Sequence, residues 1–484
     1  MQCVRNHDPD TRLETTTLVA FSLYLLGLFG IAVAAWRRTA DATDYALGGR
    51  SLGPAVAALS AGASDMSGWL LLGLPGAVYA SGLVEGWIVV GLVVGAFANW
   101  KLVAARLRER SGEGDTQAPG TNARTLPAFF AARLAQLDDD SDVRTRSLLR
   151  AVATLLILFF FTFYVASGLV AGARLFEATL GLDYLVALVV GAVVIVAYTV
   201  AGGFLAVAWT DFFQGLLMLA ALVIVPLLAF GTSGSSDPAP APSLDVTDGL
   251  TLLGWLSLVA WGLGYFGQPH VLARFMAIAS PAEVPRATSI AMGWMLVVSA
   301  GAIAVGIGGQ LALPAPIDNP EAVFIELTAL LLHPIVAGMV LAAILAAVMS
   351  TIDSQLLVAS TSLAEDVWAP LRGSDPTGGE LVLVGRIAVV LVAALAFVLA
   401  LDPDARVLAL VSYAWAGLGA SFGPLVLACL YAPRLRTSGA LASMIVGGGT
   451  VVLWGALDGG LFDLYEIVPG FAAASIVLLF SAHR

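Results

Sequence analysis

The chain has 484 residues, of which 59% are hydrophobic and only 12% are charged, and its mean hydropathy is +0.91. Soluble domains carry about a quarter charged residues, so this composition excludes a soluble protein and indicates one that lies almost entirely in a membrane. The net charge of −11 disfavours nucleic-acid binding. The two cysteines form neither a disulfide framework nor a zinc-binding spacing.

Apolar stretches recur from residue 17 to residue 482 and are apolar on every face, which favours helices over the alternating strands of a membrane barrel. The segment 322–362 is long enough to hold a connector as well as a helix. We predict an all-α polytopic protein of about thirteen transmembrane helices. Their approximate bounds are 17–36, 54–80, 83–107, 149–178, 183–203, 205–231, 248–277, 286–312, 322–362, 380–401, 405–431, 437–456 and 464–482.

The basic residues predict the orientation of these spans. With the N-terminus outside, all but Arg5, Arg12, Arg174 and Arg406 of the 23 basic residues fall on the cytoplasmic side, as the positive-inside rule requires. The alternation therefore predicts an external N-terminus and a cytoplasmic C-terminus.

An external loop without Lys or Arg divides the chain near its middle, with five predicted spans in the segment before it and five after. Five is an odd number, so the two halves would have opposite orientations, which is the inverted-repeat plan of many transporters with a site at the midplane. The predicted organisation is a tail with the first helix and a connector (1–53), a first repeat (54–231), the external loop (232–247), a second repeat (248–431) and two peripheral helices (432–484).

The first helix of the first repeat contains a stretch that disfavours helix. Residues 60–69 read Ser-Ala-Gly-Ala-Ser-Asp-Met-Ser-Gly-Trp, and glycine costs a helix interior about 1 kcal/mol relative to alanine. Unwinding at 63–68 would free carbonyls for a cation and amides for a carboxylate. Asp65 is the only ionisable residue there, and a carboxylate within a membrane costs roughly 3 kcal/mol or more. We therefore favour a functional Asp65 over a capping one.

Two later clusters are further candidates for the site: a second broken helix and a pair of hydroxyls. Residues 261–270 hold three glycines and a proline, which predicts a second broken helix. Trp261 and Tyr265 lie four apart and form either an aromatic wall for a small, partly apolar solute or a packing seam. Ser350 and Thr351 follow the Ala347 carbonyl. Their hydroxyls either offer oxygens to a small cation or bond back to the preceding turn.

Together with residues 47–54, which read Leu-Gly-Gly-Arg-Ser-Leu-Gly-Pro, these clusters resemble the sodium/solute symporter family, most of all its bacterial sodium/proline branch. The resemblance implies a LeuT-like core of five plus five helices within a thirteen-helix chain. It places sodium between the two helices, with Asp65 essential either as a direct ligand or through its field and hydrogen bonds. The implied sodium residues are Ala63, Asp65, Met66, Ala347, Ser350 and Thr351.

The same resemblance places the solute beside the broken helices. It also gives Arg50 and Asp211 an influence on coupling from the cytoplasmic side. Asp353 adds a carboxylate just beyond the sodium hydroxyls and leaves the choice of ion open. The implied L-proline-binding residues are Ser67, Gly68, Tyr164, Trp261, Tyr265 and Pro269.

The function implied is sodium-coupled symport of L-proline by alternating access in the plasma membrane, with Na+ as the co-transported ion. One alternative is a sodium- or proton-coupled symporter of another small solute, such as pantothenate, a sugar or a carboxylate. A membrane-bound sensor or enzyme is the other. It is disfavoured because the sequence has no kinase motif, catalytic Ser/His/Asp spacing or phosphate loop.

Overall fold

A computed structural model describes residues 9–36, 42–112, 121–201, 203–232, 243–313, 316–372 and 376–482. Helices fill nearly all of these ranges. Their only strand pairing is a single parallel bridge between Leu52 and Ile278. The predicted all-α class is confirmed.

The α-helices of the described ranges are numbered in chain order. They are α1 Pro9–Trp36, α2 Ala42–Leu47, α3 Pro54–Asp65, α4 Leu74–Ser81, α5 Gly86–Asn99, α6 Ala105–Ser111, α7 Leu126–Leu137, α8 Val143–Leu180, α9 Tyr184–Ala201, α10 Phe204–Gly231, α11 Leu252–Ala260, α12 Pro269–Ala277, α13 Val284–Ala312, α14 Val323–Leu331, α15 Pro334–Ser362, α16 Ala369–Arg372, α17 Gly378–Leu399, α18 Val407–Tyr431, α19 Thr437–Trp454 and α20 Ile467–Ala482.

Within the described ranges, eight helices are long and apolar enough to cross a membrane, and a bent pair makes a ninth. Five further apolar helices in the described ranges are shorter than that criterion. The number of spans, the orientation and the repeat boundaries therefore stay predictions, and most of the loop 232–247 lies outside the described residues. The five shorter helices cover Leu18–Ile31, Leu126–Leu137, Tyr184–Ala197, Leu252–Gly267 and Ile467–Ser481.

The segment predicted as 322–362 consists of two helices. α14 ends at Leu331, and α15 begins at Pro334. Proline disfavours helical backbone in the residue before it and fits the first turn of a helix, so Pro334 ends the connector and starts α15. The connector foreseen in the sequence is therefore confirmed.

Helix α15 is the centre of the bundle. Its side chains are buried almost continuously from Ala337 to Ser362. It contacts α1, α3, α8, α10 and α17. A helix that is apolar or small on every face is typical of such a fully surrounded position, and α15 therefore lies where the other helices can reach its hydroxyls.

Two helices cross at a point where only glycine fits. A Cβ on Gly95 of α5 would lie 2.2 Å from the carbonyl oxygen of Gly262, and one on Gly91 would lie 2.3 Å from the carbonyl oxygen of Val259. Small residues allow membrane helices to approach this closely. The crossing holds the segment between α11 and α12 directly against α5.

We expect Gly95→Val to destabilise the fold by at least about 1–3 kcal/mol, because the opposing atoms are backbone and cannot move aside as a side chain would. The measurement is thermal unfolding of the purified protein in detergent. Gly293→Ala on α13 is the control, because no atom lies within 4 Å of its added Cβ. Equal melting temperatures for the two variants would contradict the close crossing.

Candidate functional site

The first helix of the predicted first repeat is broken. α3 ends at Asp65, and the chain after the break continues as a π-helical turn, Trp69–Gly73, before α4. The two parts of the span are bent by 64°. The break, residues 66–68, is shorter than the predicted unwinding at 63–68. Residues 63–65 stay helical, because the Met66 amide still donates to the Gly62 carbonyl at 2.9 Å.

Side chains take over the carbonyl that this first break releases. The Asp65 carbonyl accepts hydrogen bonds from the Tyr164 hydroxyl and from the Trp69 indole, each at 3.2 Å. Gly68 packs closely against α8, because a Cβ added to it would lie 2.7 Å from the Cβ of Ala171. The predicted residues Tyr164 and Gly68 therefore lie at the break.

Oxygen atoms of α3 and α15 meet beside the first break. The Ser350 hydroxyl lies 2.8 Å from the Ala63 carbonyl oxygen and 3.0 Å from that of Ala347. The Thr351 hydroxyl donates to the Ala347 carbonyl at 3.1 Å. We call these four oxygens the oxygen seam. Both hydroxyls bond back to the preceding turn, and Ser350 also reaches across to α3.

The Asp65 carboxylate contacts the second break. One of its oxygens accepts a hydrogen bond from the Tyr265 hydroxyl. The other has no partner among the described residues. The side chain is 2% exposed and borders a cavity of about 20 Å³, whose lining includes Asn99 and Trp294. Asp65 therefore links the first break to the second instead of capping its own helix.

The second break covers Trp261–Gly267, a 3₁₀ helix, and Gln268, whose backbone is extended before Pro269 starts α12. The predicted break is confirmed as a tightened helix. The Trp261 ring stacks on that of Tyr465, with centroids 5.4 Å apart, and lies 6.2 Å from Trp69. Trp261 thus packs against Trp69 and Tyr465 at the break, and both interpretations of the sequence, a solute wall and a packing seam, stay predictions.

A fully buried ion pair lies farther along α10 and α12. Arg274 Nη2 is 3.0 Å from Asp211 Oδ2, and both side chains are 0% exposed. The Ser60 hydroxyl donates to the same Asp211 oxygen at 2.7 Å. Arg274 also donates to the hydroxyls of Ser60 and Ser354. This buried ion network joins α3, α10, α12 and α15.

Arg274, which the positive-inside rule assigns to the cytoplasmic side, has a fully buried side chain. The guanidinium is buried because Asp211, Ser60 and the His270 carbonyl supply its hydrogen bonds. Opposite charges in two apolar spans are a signal that could have revealed the pair, since each charge needs a partner inside a membrane.

Arg50 lies in a different cluster. Its guanidinium donates to the carbonyls of Ser111 and Ala123 at 2.7 Å and to that of Met276 at 3.0 Å. It therefore ties the end of α6, the following loop and the end of α12 together. Arg50 and the buried ion network share only α12 among these elements.

Asp353 is held toward α9. It is fully buried, and its carboxylate accepts a hydrogen bond from the Thr199 hydroxyl. The other carboxylate oxygen has no partner in the described part of the chain. Asp353 thus bonds to α9. Ser350, its neighbour on α15, instead bonds across to Ala63 of α3.

The sequence pattern of the "Sodium:solute symporter family" matches residues 45–447. A "Sodium/proline symporter" of Salmonella typhimurium is 49% identical, with 97% of this chain and 93% of that protein covered. The "High-affinity proline transporter PutP" of Bacillus subtilis is also 49% identical, with 95% of each chain covered. Both relatives therefore align with this chain over nearly all of its length.

Solved structures show the fold. A Na+-coupled sialic acid symporter in a substrate-bound outward-open state has a TM-score of 0.78 at 19% identity, covering 97% of this chain and 98% of its own. Mhp1, a nucleobase-cation-symport-1 family transporter, has a TM-score of 0.58 at 15% identity, covering 92% and 94%. The predicted LeuT-like fold class is confirmed by this likeness.

Arg274→Met leaves the Asp211 carboxylate buried without a counter-charge, so we expect it to lower the free energy of unfolding by about 3–5 kcal/mol. Replacing both residues, Arg274→Met with Asp211→Leu, should recover most of that loss because no lone charge remains. Thermal unfolding in detergent measures both.

The control is Arg372→Met, which breaks a more exposed ion pair with Glu380. Such pairs contribute about 0–1 kcal/mol. A double variant that is less stable than Arg274→Met alone would show that the buried ion network does not act as a charge pair.

Proposed function

Since the chain belongs to the sodium:solute symporter family, we propose that it imports L-proline through the plasma membrane and drives the import with sodium. It is a secondary transporter and not an enzyme, and Na+ is the co-transported ion. Near-full-length relatives named for proline transport support the solute. The observation that carries the mechanism is the oxygen seam beside the first break.

Sodium would bind at the oxygen seam. Small hard cations bind to carbonyl and hydroxyl oxygens, and such ligands bring no full negative charge into the bilayer. The hydroxyl protons that now point at carbonyls can rotate away, leaving lone pairs for the ion. The proposed sodium ligands are the carbonyls of Ala63, Met66 and Ala347 and the hydroxyls of Ser350 and Thr351.

Asp65 would act on the ion through its field. Its carboxylate bonds to Tyr265 of the second break, so the contact favours this role over that of direct ligand. A negative charge buried beside the first break still lowers the energy of a nearby cation. Of the two roles that the resemblance implies for Asp65, direct ligand or action through its field, we therefore propose the second.

The solute would lie between the two breaks. The chain restarts as a helix after Gly68, and the positive end of a helix dipole favours the carboxylate of proline. Trp261 and Tyr265 offer apolar faces to the ring, and an aromatic face also attracts the charged amine. The proposed proline-binding residues are Ser67, Gly68, Tyr164, Trp261, Tyr265 and Pro269.

Ion and solute would be coupled through the contact of Asp65 with Tyr265. Sodium at the oxygen seam fixes the end of α3 and thus the Asp65 side chain, which in turn fixes the Tyr265 ring beside the solute. Such a coupling is a free energy and is reciprocal, so proline must raise the affinity for sodium by the same factor.

On the cytoplasmic side, the buried ion network and Arg50 would hold the closed arrangement. The network joins two elements of the predicted first repeat, α3 and α10, to two of the second, α12 and α15. The repeats cannot separate there unless these bonds break. We assign Asp211 and Arg50 to coupling on this basis.

The test is uptake of radiolabelled proline by proteoliposomes with an inward sodium gradient, with a proton gradient alone and with neither. We expect uptake only with sodium. Competition by unlabelled proline but not by pantothenate, sugars or acids without an amine tests the solute. Uptake driven by protons alone, or a sodium-driven uptake of another solute only, would contradict the proposal.

Ser350→Ala removes one oxygen of the seam, and we expect the sodium concentration for half-maximal uptake to rise about tenfold or more. Ser475→Ala is the matched control, since the Ser475 hydroxyl bonds to the Phe471 carbonyl on α20, outside the site. A sodium response in Ser350→Ala equal to that of the control would remove the seam as the ion site.

A further inference from the structure

The second break has the tighter backbone bonds of a 3₁₀ helix in place of α-helical ones, and side chains add further hydrogen bonds around it. The Trp415 indole of α18 donates to the Trp261 carbonyl at 2.7 Å. The Asn99 amide of α5 donates to the Tyr265 carbonyl at 3.0 Å. The Gln268 amide donates to the carbonyls of Gly264 and Trp415, at 3.1 and 3.2 Å. The shape of the break is thus set largely by its neighbours.

Trp415 is the one of these residues that touches both predicted solute aromatics. Besides holding the Trp261 carbonyl, its ring meets the Tyr265 ring edge to face, with centroids 5.1 Å apart and planes at 88°. The side chain is 2% exposed. A shift of this indole would therefore move Trp261 and Tyr265 together.

Two glycines of the second break face α18 at this contact. A Cβ on Gly264 would lie 1.9 Å from Trp415 Nε1. A Cβ on Gly267, three residues later, would lie 2.4 Å from the Leu418 carbonyl oxygen. These two glycines let α18 lie directly on the second break, with the indole against the backbone of Gly264.

We propose that Trp415 is a positioning residue for transport, which sets the separation of Trp261 and Tyr265 and thereby the ring size of the solute that fits. This rests on the proposed function, since it takes those two aromatics as solute-binding. Trp415 itself need not touch the solute. Its indole N–H holds the backbone at Trp261, and its ring packs against the Tyr265 ring.

Trp415→Phe keeps an aromatic ring and loses the N–H that holds the Trp261 carbonyl. We expect the KM for proline, measured in proteoliposomes at saturating sodium, to rise about tenfold, because the buried Trp261 carbonyl loses its side-chain donor. The maximal rate should stay within about twofold of wild type. We also expect weaker discrimination between proline and its analogues with a four- or six-membered ring, for which one methylene is worth about tenfold in a fitted pocket.

Trp454→Phe is the matched control. Its indole donates to the Leu464 carbonyl at 2.9 Å between the peripheral helices, so it removes the same kind of bond from a carbonyl outside the second break. We expect wild-type KM and ring-size discrimination from it. Benzothienylalanine at position 415, with sulfur in place of the N–H and the same ring shape, should reproduce Trp415→Phe if that variant is not recovered folded.

The outcomes separate the two proposals. If the wild type takes up proline with sodium while Trp415→Phe matches Trp454→Phe in KM and discrimination, the positioning role is wrong and the proposed function stands. A fall in maximal rate with unchanged KM for all three ring sizes would show a structural role only. If the wild type takes up no proline, both proposals fail.

Discussion

Backbone polar groups inside a bilayer must find hydrogen-bond partners within the protein, because no water is available there. This constraint governs both broken helices of this chain. Each break frees backbone carbonyls from regular α-helical hydrogen bonds. At each break a side chain of another helix donates a hydrogen bond to one of these carbonyls. Tyr164 of α8 reaches the Asp65 carbonyl, and Trp415 of α18 reaches that of Trp261. The breaks can exist only where surrounding helices supply donors.

The two breaks are also joined to each other and to the centre of the bundle. Ser350 of α15 reaches Ala63 at the end of α3, and Tyr265 reaches the carboxylate of Asp65. The oxygen seam thus contacts the end of α3, and Asp65 at the same end contacts the second break. This short path gives a physical basis for ion and solute to affect each other in one site region.

The local features of the site could be predicted from the sequence, because they come from local chemistry. Glycine, serine and proline disfavour helix wherever they cluster, so the sequences of residues 60–69 and 261–270 indicate broken helices. The Ser350 and Thr351 hydroxyls are visible in an otherwise apolar helix. The extent of the first break was overestimated, because the bond from Met66 to Gly62 that preserves the last turn depends on fine backbone geometry. Contacts between distant elements are harder to predict. Charges in apolar spans indicate that Arg274 and Asp211 each need a partner, and they leave open which residue it is. Nothing near Trp415 in the sequence indicates Trp261.

The most direct test of the account is whether Asp65 and Tyr265 transmit the effect of sodium on proline as a unit. Proline binding to purified protein should be measured with and without sodium for wild type, Asp65→Asn, Tyr265→Phe and the double variant. The account predicts that sodium tightens proline binding in the wild type. Each single variant should lose most of this sodium effect, and the double variant should lose no more than either single one. Full sodium dependence in either single variant, or losses that simply add in the double variant, would contradict it.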